Sequence, residues 1–368
     1  MPLDLWIYGP GYGETIFMAW DDPKKPGEKR AAVVDHYGGH LETHSPVIAK
    51  WRELGEPALA FVAATHPHFD HLRNFHLALE DFARKEEEGA PPHLERVFWW
   101  GGFDDALAES YYQAVVQRSP IRTRELTSAA SMTSKFLSHA RTLAGHDGSG
   151  FCSKLIPLEG RNPVERHDCG GVSVTAIGPW AVPKKEFQNA FKNQFRDVEI
   201  GGEMQTVVEP DRVKANRISL GLLVEYGAAQ IVLGGDMEEE NWKVWRKANK
   251  HPIRPSVVKV SHHGSSTGMI PGMWDGRGFF NSHTGETDSK AMPICVVTPW
   301  RRGAQARQLP DSSVLKKIKN AGCRLVVTGT PPNSRGLDGG NWYCDSYVHI
   351  RVEENGIAEI VNSHLCRL

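Results

Sequence analysis

The chain predicts an α/β fold, and three features carry the prediction. Short apolar runs at 58–64, 97–100, 256–260 and 294–298 read as buried strands. Helical patterns with capping residues fall between them. The 368 residues, 40% of them hydrophobic, suffice for a large core, and no low-complexity linker divides them. One domain over 1–368 is expected.

Taken in order, residues 3–8 and 14–20 read as strands joined by a Gly-rich turn, Gly9-Pro10-Gly11-Tyr12-Gly13. The Lys- and Pro-rich stretch 21–30 reads as a loop, and 31–34 as a third strand closed by Asp35. Ser45 and Pro46 open a helix to about Leu54, with Ser as N-cap and Pro at the first helical position. After strand 58–64, Leu72, Phe75, Leu79 and Phe82 at helical spacing predict a helix to about Lys85. Residues 104–145 look helical and read as an insertion, and 171–177 returns to strand. A second insertion spans 180–214. There Phe187, Phe191 and Phe195 at four-residue spacing predict one helical stripe, with Lys184, Lys185, Lys192 and Arg196 around it. Such a helix either docks its Phe stripe on the core or offers an aromatic, basic face to single-stranded nucleic acid. Strands at 218–225 and 230–233 end at Gly234-Gly235-Asp236, and 256–260 ends at Ser261-His262-His263-Gly264-Ser265. Strands 294–298 and 324–328 flank a helix starting near Asp311, and 343–352 and 357–361 complete the sheet.

A net charge of −1 rules out a global field for nucleic acid, so any basic surface is local. The six Cys form no Cys-x-x-Cys pair, which argues against a thiolate zinc site. Met1-Pro2-Leu3-Asp4 lacks the basic and apolar regions of a signal peptide, and no apolar run reaches transmembrane length. A cytoplasmic protein with reduced thiols and no membrane partner is expected.

The chemistry concentrates in Thr65-His66-Pro67-His68-Phe69-Asp70-His71, four potential metal ligands within six residues between a strand and a helix. At a strand end His66 and His68 are two apart and point the same way. Asp70 and His71 follow on the turn and aim from another side. That geometry suits two adjacent ions better than one. Imidazole and carboxylate donors suit Zn²⁺ or Mn²⁺, with one or two ions expected per chain. Two further strand ends carry ligand types. Asp236 follows two glycines that let the backbone turn tightly. One of His262 and His263 is the expected last ligand. His262, nearer the strand end, is favoured, which leaves His263 to touch substrate or order a ligand.

His-x-His-x-Asp-His after a strand resembles the signature of the metallo-β-lactamase superfamily. The resemblance implies an αββα sandwich, here with helical insertions, and metals at one edge. It further implies that Asp236 bridges the ions and that Asp35 orients a ligand from behind. The superfamily spans lactamases, thioesterases, glyoxalases, lactonases and nucleases, so the fold does not give the substrate. Where lactamases and glyoxalases carry another His, this chain has Asn216. Its amide oxygen is a weaker zinc ligand but acceptable to Mn²⁺ or Mg²⁺. Asn216-x-x-Ser219, Gly234-Gly235-Asp236 and Lys259-Val260-Ser261-His262-His263-Gly264-Ser265 resemble the C-terminal domain of the DNA-uptake channel protein ComEC. The chain departs from that family at His68, where Asp is usual, and at Arg73-Asn74, where Gly-Gly is usual.

What the resemblance implies is a metal-dependent hydrolase, a phosphodiesterase or nuclease using metal-activated hydroxide. Asp70 would orient the attacking water. Lys259, Ser265 and Ser266 would contact phosphate, and the Lys184, Lys185, Lys192 and Arg196 cluster would hold a nucleic-acid or nucleotide substrate. The alternatives are hydrolysis of a thioester, lactone or other small ester, or a degenerate binding module.

Overall fold

The structure is a computed structural model. It describes residues 1–9, 13–38, 45–83, 94–100, 124–144, 154–158, 160, 165–180, 185, 195–200, 203–208, 215–249, 253–274, 292–300, 309–329 and 346–364.

Two sheets form the body. The first has eight strands: β1 (Leu3–Tyr8), β2 (Thr15–Asp21), β3 (Lys29–Val34), β4 (Ala58–Ala64), β5 (Arg96–Trp100), β6 (Lys154–Leu158), β16 (Tyr347–Val352) and β17 (Ala358–His364), in the order β17-β16-β1-β2-β3-β4-β5-β6. The second has seven: β7 (Arg166–Asp168), β8 (Ser173–Gly178), β11 (Gly221–Tyr226), β12 (Ala229–Leu233), β13 (Val257–Lys259), β14 (Ile294–Val297) and β15 (Arg324–Val327), in the order β15-β14-β13-β12-β11-β8-β7. In the first sheet β3 to β6 run parallel, and in the second β12 to β15 do. Within each sheet the carboxyl ends of these strands lie at one edge, and the loops that follow them bring His71 and Asp70 of the first sheet to Asp236 and His263 of the second. Full burial on both faces explains why β4 reads as an unbroken apolar run.

The inner faces share one core, in which Phe17, Phe61, Leu222 and Ile231 are all buried. Helices cover the outside. On the first sheet lie α1 (Pro46–Glu53), α2 (Phe69–Leu72), α3 (Phe75–Ala83) and α4 (Arg124–Leu143). Trp51 meets Phe82 edge-on at 5.2 Å, and Phe136 of α4 lies 5.1 Å from Phe75. Each such buried aromatic contributes roughly 1.5–3 kcal/mol. On the second sheet, Trp242 and Trp245 of α5 (Glu239–Ala248) and Val314 and Ile318 of α6 (Ser312–Asn320) pack onto Val258, Cys295 and Val297. The layers are helix, sheet, sheet, helix, as expected.

Local expectations fare unevenly. Ser45 caps α1 by accepting from the Ile48 amide at 3.3 Å, with Pro46 at the first position. Leu72, Phe75, Leu79 and Phe82 are fully buried, yet the single helix expected there is two. The loop after β3 takes its carbonyls: the His36 amide donates to His71 O at 2.9 Å and the Gly38 amide to Arg73 O at 3.2 Å. The chain turns at Asn74, whose φ is +56°, a conformation Asn tolerates and the usual Gly would adopt freely. Phe195 does not continue a helical stripe. It opens β9 (Phe195–Ile200), paired with β10 (Glu203–Val208) in a hairpin separate from both sheets. The Val and Ile content there and Gly201-Gly202 between the runs favour strands. Phe187, Phe191, Lys184, Lys192 and residues 104–123 lie outside the described residues.

Candidate metal centre

Five strand ends deliver the site: Asp35 after β3, His66 to His71 after β4, Asp236 after β12, His262 and His263 after β13, and Thr298 after β14. Four ligand-type atoms converge around one point. Asp70 Oδ2 lies 3.6 Å from His71 Nε2 and 3.1 Å from His263 Nε2. Asp236 Oδ1 lies 3.6 Å from each of the same two nitrogens. A zinc tetrahedron with bonds near 2.1 Å has edges of about 3.4 Å, so this set fits a cation. His71 Nε2 and Asp236 Oδ1 are buried without a hydrogen-bond partner. Orphaned groups of that kind need an explanation, and an ion supplies one.

A second set adjoins the first through the other oxygen of Asp236. His66 Nε2 lies 3.7 Å from Asp236 Oδ2 and 2.9 Å from His68 Nδ1. One carboxylate thus faces both clusters, as a bridging ligand must. Asn216 flanks the cleft here, with Oδ1 buried and without a partner.

Behind these atoms stands a layer that fixes ring orientation. Asp35 Oδ2 accepts from His71 Nδ1 at 2.7 Å and from the Thr65 hydroxyl at 2.7 Å. The Thr65 oxygen in turn accepts from His66 Nδ1 at 3.0 Å. Asp35 therefore turns Nε2 of both His71 and His66 toward the site, directly and through Thr65. His263 donates Nδ1 to the Thr298 carbonyl at 2.9 Å, which frees its Nε2 likewise. Asp236 is held by its amide, which donates to Ser219 Oγ at 2.8 Å.

Sequence reasoning missed Glu14. It is 1% exposed, pairs with the buried Lys259 ammonium and accepts from the Thr298 hydroxyl at 2.7 Å. Its carboxylate sits 3.8 Å behind Nδ1 of both His71 and His263. Glu14, His71 and His263 also have metal-like spacing, as do His66, His71 and Asp236. The first trio would use the Nδ1 atoms, which Asp35 and Thr298 already occupy, so the second marks the site. The available sequence signal was a lone acid at the mouth of an apolar strand.

The electrostatics describe a cation trap. Burial opposes ionising Asp70, yet His71 and His263 outweigh it and hold the group at about 2. Asp236 is likewise held well below the usual carboxylate range against burial, chiefly by His263 and His71. Burial opposes charging His71, but Asp35, Asp70 and Asp236 push it up to about 10. Burial, then His71 and His68, keeps His66 far below 6.5, leaving a neutral ligand. Protons thus go to His71, beside the lone pairs a metal would take.

The structure brings His66, His68, Asp70, His71 and Asp236 together, with Asp35 behind them. Two expectations are corrected. The ring facing Asp70 and Asp236 belongs to His263, not His262. Nearness to the strand end misled because His262 and His263 both adopt left-handed backbone, φ +49° and +52°, which reverses the order in which they face the centre. Lys259 cannot touch phosphate, since it is fully buried against Glu14 between the sheets. Ser265 lines the cleft, whereas Ser266 is exposed with its amide on Asp311. Lys185 is exposed, and Arg196 lies on β9. The cleft holds about 390 Å³ and is walled by His68, Asp70, His262, Thr267, Trp300 and Leu309 among others.

Two sheets packed face to face, with helices outside and the candidate ligand side chains at the strand ends, make an αββα sandwich. No family model matches the chain, and no curated protein matches it. Solved structures similar to it include a mutant of the β-hydroxylase CmlA, at 12% identity and a TM-score of 0.35, over 88% of this chain and 45% of that one. This chain thus spans less than half the hydroxylase's length. Unliganded yeast PDE1 is similar at 11% identity and a TM-score of 0.40, over 89% of this chain and 97% of that one. Zn²⁺-bound PqqB from Methylobacterium extorquens is similar at 11% identity and a TM-score of 0.33, over 89% and 98%. At these values no function is read from the likenesses, and the chain's own side chains carry the assignment.

Proposed function

We propose that the chain is a metal-dependent hydrolase of the metallo-β-lactamase superfamily, acting on phosphodiesters. The observation that carries this reading is Asp236, whose two oxygens face two adjoining ligand clusters. Asp70, His71, Asp236 and His263 would hold one ion, and His66, His68 and Asp236 the other. Bound divalent ions supply Lewis acidity and bring the pKa of water down to about 7 in the zinc case. Asp70, held ionised at the cleft wall, would accept a hydrogen bond from the attacking water and orient it. Asp35, Thr65 and Thr298 keep the ligand rings from turning. Thr267 accepts from His262 Nδ1 and donates to Ser265 Oγ at 3.0 Å, which leaves the Ser265 hydroxyl to donate to the substrate.

Phosphodiesters suit the charge balance. Two divalent ions exceed the charge of Asp70, Asp236 and Glu238, the three carboxylates lining the cleft, so the loaded cleft attracts an anion. One observation favours a second reading, a small thioester or lactone. Among the described residues the cleft has no Lys or Arg, and Trp300 and Leu309 form an apolar wall. For a polynucleotide, we assign substrate contact to Lys184, Lys185, Lys192 and Arg196. Replacing all four by Ala should then flatten the salt dependence of DNA binding, because fewer counterions are released. The deciding experiment assays metal-loaded protein on bis-p-nitrophenyl phosphate, DNA, RNA and a thioester, beside Asp236→Ala. Phosphodiester cleavage that the variant loses supports the reading. Turnover of the thioester alone favours the second, and no turnover of any rejects both.

A further inference from the structure

The adjacent histidines after β13 have different partners. His263 turns Nε2 to Asp70 and Asp236. His262 turns Nε2 to Asn216 Nδ2 at 3.0 Å and Nδ1 to Thr267 Oγ1 at 3.0 Å. Asn216 lies on a short 3-10 turn and is only 9% exposed. With its amide nitrogen committed to His262, its Oδ1 is buried and has no hydrogen-bond partner. A buried carbonyl in that state is costly and uncommon. The residue lines the same cleft as His68 and Asp236. The opposite amide orientation would spend the oxygen on the ring and leave donors facing the cleft, which a cation repels.

We infer that His262 is a positioning residue that holds the Asn216 amide with Oδ1 available to the ion of His66, His68 and Asp236. The inference rests on the metal-dependent reading above and deepens it. The two sites then differ in kind. The one built from Asp70, His71, Asp236 and His263 has two carboxylates. The one built from His66, His68, Asp236 and Asn216 shares one carboxylate and adds a neutral oxygen. The second binds more weakly and depends on His262, although His262 does not touch the ion. An amide oxygen in place of imidazole also moves that site's preference from Zn²⁺ toward a harder ion such as Mn²⁺.

The test is calorimetric titration of metal-free protein with Zn²⁺ and separately with Mn²⁺. Wild-type protein should take one ion tightly and a second more weakly. His262→Leu should weaken only the second event, by the 10–100-fold typical of lost orienting partners. His262→Gln keeps an acceptor for the Asn216 amide and should restore the second event. Asn216→His should tighten Zn²⁺ there and make it insensitive to His262→Leu. An unchanged second event in His262→Leu, or equal weakening of both events, overturns the inference while leaving the hydrolase reading intact. No ion bound by wild-type protein defeats both.

Discussion

Asp35 governs two ligands at once, because its carboxylate takes His71 directly and His66 through Thr65. Asp35→Asn should therefore weaken metal binding about 10–100-fold while the far-ultraviolet circular dichroism stays unchanged. Metal affinity measured by competition with a chelating dye checks this. Its neighbour His36 has a structural task. Its Nδ1 donates to Arg73 O and its Nε2 accepts from Ser45 Oγ, both at 2.7 Å, which ties the end of β3 to the break before α3 and to the cap of α1. Burial pulls its pKa from 6.5 to about 4. As the pH falls the unfolded chain takes up this proton first, so the stability is present above about 6.5 and is lost between 6.5 and 4. His36 should contribute about 2 kcal/mol of the loss between pH 7 and pH 5, read as the difference in urea midpoints between wild type and His36→Asn, because His66, His68 and His76 are lowered as well. The ligand motif was legible in the sequence because it stands at the end of an apolar run, and the role of Asp35 was legible only through the resemblance that motif carries. Glu14 was not, because its partners Lys259, Thr298 and His263 come from the other sheet, far along the chain.

At the scale of elements, tight turns at strand ends set the aim of each ligand. Gly235 has φ +50°, and a Cβ there would meet Leu220 O at 2.7 Å. Gly235→Ala should cost about 1–3 kcal/mol and displace Asp236. A lowered urea midpoint together with weaker metal binding would bear this out; an unchanged midpoint would not. The two glycines before Asp236 announced this turn. The left-handed pair at His262 and His263 was not announced, since histidine adopts that backbone only in a minority of cases. Nor was the split between α2 and α3 announced. The helical spacing of the apolar residues was correct, but the hydrogen bonds to the loop after β3 decide where the helix breaks.

For the whole molecule, the order of strands and helices was legible because buried parallel strands leave plain apolar runs. The hairpin of β9 and β10 was not, because Phe spacing alone does not separate one turn of helix from the start of a strand. A buried pair joins Glu14, the residue before β2 of the first sheet, to Lys259 of β13 in the second. That pair locks the sheets in register directly behind His71 and His263, so the fold's interior and the centre's geometry are one construction. The central claim is that Asp236 stands between two ions. Anomalous X-ray diffraction from crystals of metal-loaded protein tests it most directly. The expected map has one peak among Asp70, His71 and His263, another beside His66 and His68, and Asp236 between them. A peak between Glu14 and the Nδ1 atoms of His71 and His263, or a map with no peak at Asp236, would contradict it.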